Sequence, residues 1–288
     1  MSCNPDSQNI IIYEPNQRQK IGFLRSLLVM LSNIRTSREL IWQLFKRDFL
    51  AVYKKSFLGM GWLFISPVIG IISWVLMNAT GILNPGDTGI PYPAYVLLST
   101  SIWGLFMGFY GAAAGTLGAG GGFIMQVKYP HEALLMKQVA QHVAGFLIGF
   151  LMNIVVLLFF HVVPSWQIIL FPIVALPLFF LGSGIGLIVG VISVVAGEIS
   201  RIVDAFFGFL IFLTPVIYSP NFSSPFLQAI TKWNPLTYLT GAVRDTIIYG
   251  RIDNLDKFLY ATAFSLLVFI ISWRLFYVSE EKVIEKMI

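Results

Sequence analysis

The run at residues 168–196, IILFPIVALPLFFLGSGIGLIVGVISVVA, contains no charged side chain, and it limits what the chain can become. A helix crosses the hydrocarbon core of a bilayer with about 20 apolar residues, and this run exceeds that. In lipid a lone apolar segment must satisfy its own backbone hydrogen bonds, which selects the α-helix. Similar runs recur, and they predict spans at 61–81, 94–117, 139–163, 168–196, 202–218 and 258–276. Only 11% of the 288 residues are charged and 57% are hydrophobic. A soluble domain carries about 25% charged residues. The expected fold class is therefore all-α integral membrane, with six transmembrane helices in a domain at 59–278.

Just before the first span, residues 38–58 read as an amphipathic interface helix. Ile41, Phe45, Phe49 and Val52 recur at spacings of four, four and three, which stacks them on one helical face. Arg38, Lys46, Arg47, Lys54 and Lys55 surround that face with positive charge. Such a helix lies in the headgroup layer, its cations toward anionic lipid or an acidic partner. Residues 1–37 form an N-terminal extension that is polar at first. Its apolar stretch at 21–31 is too short to span and reads as a second surface-lying helix. No basic start followed by a long apolar core marks a cleavable signal peptide. The one cysteine, Cys3, makes no internal disulfide.

Small residues recur at helical spacing within the spans. Ser66, Gly70, Ser73 and Thr80 stripe the first span, and packing against a neighbouring helix is the favoured reading over a conduit wall. Gly111, Gly115, Gly118 and Gly122 form a second ridge, Gly145 and Gly149 a third pair, and Gly182, Gly186 and Gly190 a fourth. The segment 219–255 is too long for a turn and too apolar for a free loop. Ser224-Pro225 and Asn234-Pro235 each place a capping residue before a proline at the first helical position. This predicts short re-entrant helices at 225–233 and 235–249, with Gly250 closing the second.

Charge placement sets the expected orientation. Fifteen of the nineteen Lys and Arg residues fall on the side of the N-terminus, against Lys232, Arg244, Arg251 and Lys257 on the other. Both ends of the chain, including the tail at 279–288, are then expected in the cytoplasm. Nucleic acid is not an expected partner, because the basic residues accompany apolar runs.

Catalytic chemistry has little support. The run GAGGGF lacks the Gly-Lys-Ser/Thr ending of a phosphate loop, so no nucleotide-hydrolysing site is expected in this chain. His131-Glu132 begins like a zinc-hydrolase helix, but Leu135 stands where the second histidine would be. His142 and His161 are separated along one apolar span, and no base, nucleophile and orienting group converge. No catalytic residue, metal or cofactor is expected here.

Three landmarks, taken in order, resemble the membrane subunits of type-2 ABC exporters, and most of all the permeases that export lipid-linked polysaccharides such as O-antigens, capsules and teichoic acids. Arg47-Asp48, Tyr53-Lys54, Ser56, Leu58-Gly59, Trp62 and Pro67 match that family's entry motif. Val127, Tyr129 and Pro130 match its cytoplasmic break. Pro215-Val216-Ile217-Tyr218, Asn234-Pro235-Leu236 and Arg244 match its outer segment. Val52 and Leu135 depart from it, where the family often has arginine and proline.

The resemblance implies a homodimer in the bacterial inner membrane, served by two copies of a separate ATPase subunit that holds the ATP and magnesium. It implies a surface that receives the ATPase stroke, formed by Arg38, Lys46, Arg47, Asp48, Lys54, Lys55, Lys128, Tyr129, Pro130, His131 and Glu132. Sugars stack on aromatic faces, so Trp62, Phe206, Phe209, Phe212 and Tyr218 are conduit or gate candidates, with Ser66 and Ser73. The expected substrate is a lipid-linked glycan, and membrane lipids are further partners. A drug or lipid efflux permease of the same fold is the alternative, and an integral-membrane glycan transferase a more distant one.

Overall fold

The computed structural model describes residues 22–54, 59–119, 130–220 and 225–287. Among the described residues there is no strand, and the regular elements are helices. They are α1 (Phe23–Thr36), α2 (Arg38–Lys54), α3 (Trp62–Ala79), α4 (Tyr92–Ala114), the single turn α5 (Thr116–Ala119), α6 (His131–Phe159), α7 (Phe171–Val195), α8 (Glu198–Leu210), α9 (Pro225–Trp233), α10 (Pro235–Ile248) and α11 (Leu255–Met287). The protein is an all-α membrane protein. Among the described residues five helices are long and apolar enough to cross a bilayer: α3, α4, α6, α7 with the 3-10 turn before it, and α11 over Leu255–Ser279.

The centre of the bundle is α4, with Tyr95, Leu98, Ile102 and Phe106 buried. The glycine ridge of α7 makes that burial possible. A Cβ at Gly182 would stand 2.8 Å from the carbonyl oxygen of Phe106, and one at Gly190 would stand 2.9 Å from that of Ala114. Gly186 lies between them, against Tyr110 O and the Ala113 methyl. On its opposite side α7 meets α11 through Gly184 and Phe269. The ridge on α4 behaves differently. Among the described residues Gly111 and Gly118 have no atom within 4 Å of an added Cβ, Gly115 would meet Gln138 Oε1 at 3.6 Å, and Gly122 lies outside the described residues. Gly149 of α6 approaches α3, where an added Cβ would stand 3.0 Å from Leu63 O.

From Pro130 onward the polar break continues directly into the third span. Pro130 sits at the N-cap and α6 runs without interruption to Phe159. A Schellman stop ends it: His161 takes φ 58°, its N–H bonds Leu158 O, and the Val162 N–H bonds Leu157 O. His161 is thus part of a chain turn. His142 packs against Gly108, with Nε2 3.1 Å from Leu105 O.

The predicted fifth span, 202–218, is built in pieces. The α-helix α8 is extended only by the 3-10 turn Ile211–Leu213, after which Thr214 is extended. Its side chains still follow the length of the bundle: Phe207 packs edge-on to Phe106, Phe212 edge-on to Trp74, and the Tyr218 carbonyl reaches Tyr95. The short helices α9 and α10 follow, as the two Pro caps predict. Asn234 accepts from the Leu236 N–H at 3.0 Å, while Ser224 lies outside the described residues. Gly250 closes α10 at φ 68°, where an added Cβ would collide with Ser165 and Gln167.

Candidate functional site

Two clusters mark the opposite ends of the bundle. The first joins α2 to the start of α6. Leu44 and the half-buried Leu40 and Ile41 pack on Ala133 and Leu134. Beside that contact Asp48 joins two cations. Arg47 Nε donates to its Oδ1 at 2.6 Å, and Lys137 Nζ donates to its Oδ2 at 2.9 Å. The Arg47 bond, helped by Lys137, holds the Asp48 carboxyl below its ordinary value although partial burial opposes this. Lys137 is 8% exposed, and a buried ammonium requires such a counter-charge.

The remaining side of α2 faces outward. Arg38, Lys46 and Arg47 are exposed, and Lys46 Nζ stands 5.5 Å from the Trp42 ring. Trp42, Phe45 and Phe49 stack in series along the helix. Lys54 ends α2, and Lys55, Lys128 and Tyr129 lie outside the described residues. His131 and Glu132, expected at an outer surface, are buried instead, and Asn33 of α1 donates to Glu132 Oε1 at 3.5 Å. They sit in the first turn of a helix whose outer side is taken up by α1 and α2. The apolar stretch at 21–31 is likewise half docked: Met30 is buried beside Leu135 and Phe276, while Leu28 and Leu31 stay exposed.

The second cluster gathers the three outer motif pieces. Arg244, on α10, is 6% exposed. Its Nη1 donates to Tyr95 Oη at 2.8 Å and to Pro215 O at 3.2 Å, its guanidinium lies 4.8 Å over the Tyr95 ring, and its Nε is 3.6 Å from Asp245. Tyr95 Oη donates to Tyr218 O at 2.8 Å, and Tyr92 Oη donates to Ile217 O at 3.0 Å. Asn234 Nδ2 donates to Leu213 O and to Thr214 Oγ1. The Pro-Val-Ile-Tyr stretch is thus a non-helical turn whose carbonyls are held by side chains from α4 and α10.

The conduit candidates divide. Phe206 and Phe209 of α8, Phe212 of the 3-10 turn after it and Trp62 of α3 are exposed, as are Ser66 and Ser73. Tyr218 is buried, with its hydroxyl bonded to Phe212 O. Among the described residues the serine stripe of α3 stays exposed: Ile71 is the buried residue of α3, and Gly70 has no atom within 4 Å of an added Cβ. Ser66 instead lines a cleft of about 410 Å³ with Thr100, Ser101, His142 and Asn153.

The entry, break and outer motifs are joined by one chain that holds a basic helix against the foot of its third span. The pattern of ABC-2 type transporters matches residues 39–248. The chain belongs to the ABC-2 type transporter family. It is accordingly a membrane transport subunit of the permease type. Over 181 residues it is 26% identical to the O-antigen export system permease protein RfbA of Myxococcus xanthus, covering 63% of this chain and 68% of that protein.

Sequence reasoning missed Lys137, Asn33 and Tyr95 in this ABC-2 chain. Lys137 left a signal: it is a lone charge more than one turn into an apolar helix, which calls for a partner. Asn33 and Tyr95 left none, because their partners are 99 and 149 positions away.

Proposed function

We propose that this chain is the permease subunit of an ATP-driven exporter that moves a lipid-linked polysaccharide of the O-antigen, capsule or teichoic acid type across a bacterial inner membrane. It works as a homodimer with two copies of a separate ATPase, which binds ATP and magnesium. Both termini are cytoplasmic, and 198–218 makes a sixth crossing in short helical pieces. The observation that carries the reading is the Asp48–Lys137 bridge. It fastens an exposed basic helix to the foot of a continuous span, so a push on α2 moves α6 as a unit. The name of the Myxococcus xanthus relative supports a glycan over a drug.

The basic face of α2, at Arg38, Lys46 and Arg47, is the surface that meets the ATPase. The exposed faces of α3 and α8 are brought together by Trp74 and Phe212, whose ring centroids are 6.0 Å apart. In a homodimer these faces line the conduit, and Phe206, Phe209 and Trp62 offer rings to sugars. The test is to express this chain with and without a candidate ATPase subunit from the same genome and to measure co-purification, ATPase stimulation and surface glycan. A stable complex whose ATPase rises with the lipid-linked glycan supports the reading. A chain that purifies alone and leaves surface glycan unchanged when deleted overturns it.

A further inference from the structure

A second site lies away from the coupling helix and the exposed faces of α3 and α8. Two cavities of about 250 and 400 Å³ adjoin between α9, α10 and the start of α11, and Lys232, Tyr238 and Lys257 line both. The smaller cavity is charged. Of its ionisable groups, Arg244 and Asp245 neutralise each other at 3.6 Å, leaving Lys232 and Lys257 as two uncompensated positive charges. Thr237 also lines it, and its Oγ1 is enclosed without a hydrogen-bond partner among the described residues. The larger cavity is apolar, with Trp233, Tyr260 and Phe264 on its walls.

The wall between the two is fixed. Tyr238 Oη donates to Lys232 O at 2.9 Å, and Lys257 Nζ stands 5.2 Å over the Tyr238 ring. Lys257 belongs to the first turn of a membrane span, so the charged cavity sits at headgroup depth whichever way the chain is oriented. Tyr260 and Phe264 follow three and seven residues later on the same helical face. At about 1.5 Å per residue, Phe264 is roughly 10 Å deeper, in the acyl region. Trp233 is 87% exposed at the mouth, where an indole suits the membrane–water interface.

We propose that this groove binds an anionic phospholipid of the surrounding bilayer. The phosphodiester lies between Lys232 and Lys257, and one acyl chain follows Tyr260 and Phe264. The net positive charge of the headgroup cavity selects an anionic over a zwitterionic lipid, and the adjoining apolar groove selects a lipid over a free phosphate.

The experiment uses the purified full-length chain in mixed micelles, with phosphatidylglycerol or phosphatidylcholine brominated in the acyl chains as the quencher of tryptophan fluorescence. Phosphatidylglycerol is expected to quench at a lipid fraction about fivefold or more lower than phosphatidylcholine. The W233F variant loses the selective component. The K232Q/K257Q variant, altered at two exposed positions, quenches equally with either lipid. Millimolar glycerol phosphate leaves the selectivity intact. Equal quenching of the unaltered chain by both lipids overturns the proposal, as does selectivity that persists in K232Q/K257Q. Reversal by glycerol phosphate also overturns it, by making the site one for small anions.

Discussion

Lys137 Nζ stands 2.9 Å from Asp48 Oδ2 and ties the basic interface helix to the first turns of the third span, 89 residues along the chain. The lysine is buried and the aspartate half-buried, so the pair is less screened than a surface bridge. Removing Asp48 leaves an uncompensated buried cation. Asp48→Ala and Lys137→Met should each lower the thermal stability of the purified chain. A double-mutant cycle should return a coupling of about 1–2 kcal/mol. Additive effects in that cycle would show that the two helices are not joined through this pair.

The same carboxyl sets a pH dependence. Its bond from Arg47, and then that from Lys137, lowers its folded pKa beneath the ordinary 3.8. The stabilisation is therefore complete above 3.8 and disappears as pH falls through the lower folded value. Amide exchange in α2 should stay constant from neutral pH to about pH 5 and rise below about pH 4, after correction for intrinsic exchange. In Asp48→Asn the exchange should already be high at neutral pH and lack that step.

Gly186 and Gly111 make a matched pair of substitutions. An added methyl on Gly186 collides with the Tyr110 carbonyl and the Ala113 methyl, while one on Gly111 meets no atom within 4 Å among the described residues. Gly186→Ala should cost about 1–3 kcal/mol or prevent folding. Gly111→Ala should keep normal stability as a monomer, so any loss of export with that substitution reads out a contact with another chain.

Arg244 should be intolerant even of lysine. It spends its guanidinium on Tyr95 Oη, Pro215 O and the Tyr95 ring, a planar set that a single ammonium cannot reproduce. Arg244→Lys should reduce folded yield and expose the 214–218 stretch to protease. Asn234→Ala should act in the same direction and cost about 1 kcal/mol for the cap alone.

Phe209 is 60% exposed and Phe206 55%, so replacing them removes little packing within the chain. Phe206→Ala and Phe209→Ala should leave detergent stability nearly unchanged and reduce glycan export by several-fold. Unaltered export in a stable double variant would remove these rings from the proposed conduit.

Much of this architecture is legible in the sequence. Pro225, Pro235 and Asn234 announce α9 and α10, and Gly250 announces the end of α10, because each acts through backbone geometry confined to its own turn. The ridge Gly182–Gly186–Gly190 is legible as a packing surface, but its partner is not. The equally regular positions Gly111 and Gly118 have none among the described residues. Periodicity reports that a helix has a small-residue face, and says nothing of what lies opposite. His131 and Glu132 mislead for a related reason: a polar pair ahead of an apolar run looks exposed until α1 and α2 cover it.

Apolar length and the demand for internal backbone hydrogen bonding determined, from sequence alone, that this chain is a helical membrane protein with a basic helix at its entry. Those are local quantities, summed over contiguous residues. Only the tertiary structure decided that Asp48 meets Lys137 and that Arg244 grips Tyr95 and the Pro215 peptide. It also decided that α8 follows the bundle in short pieces. Each of these depends on which helices become neighbours. That choice rests on close approach between faces far apart in the chain, and no single segment encodes it.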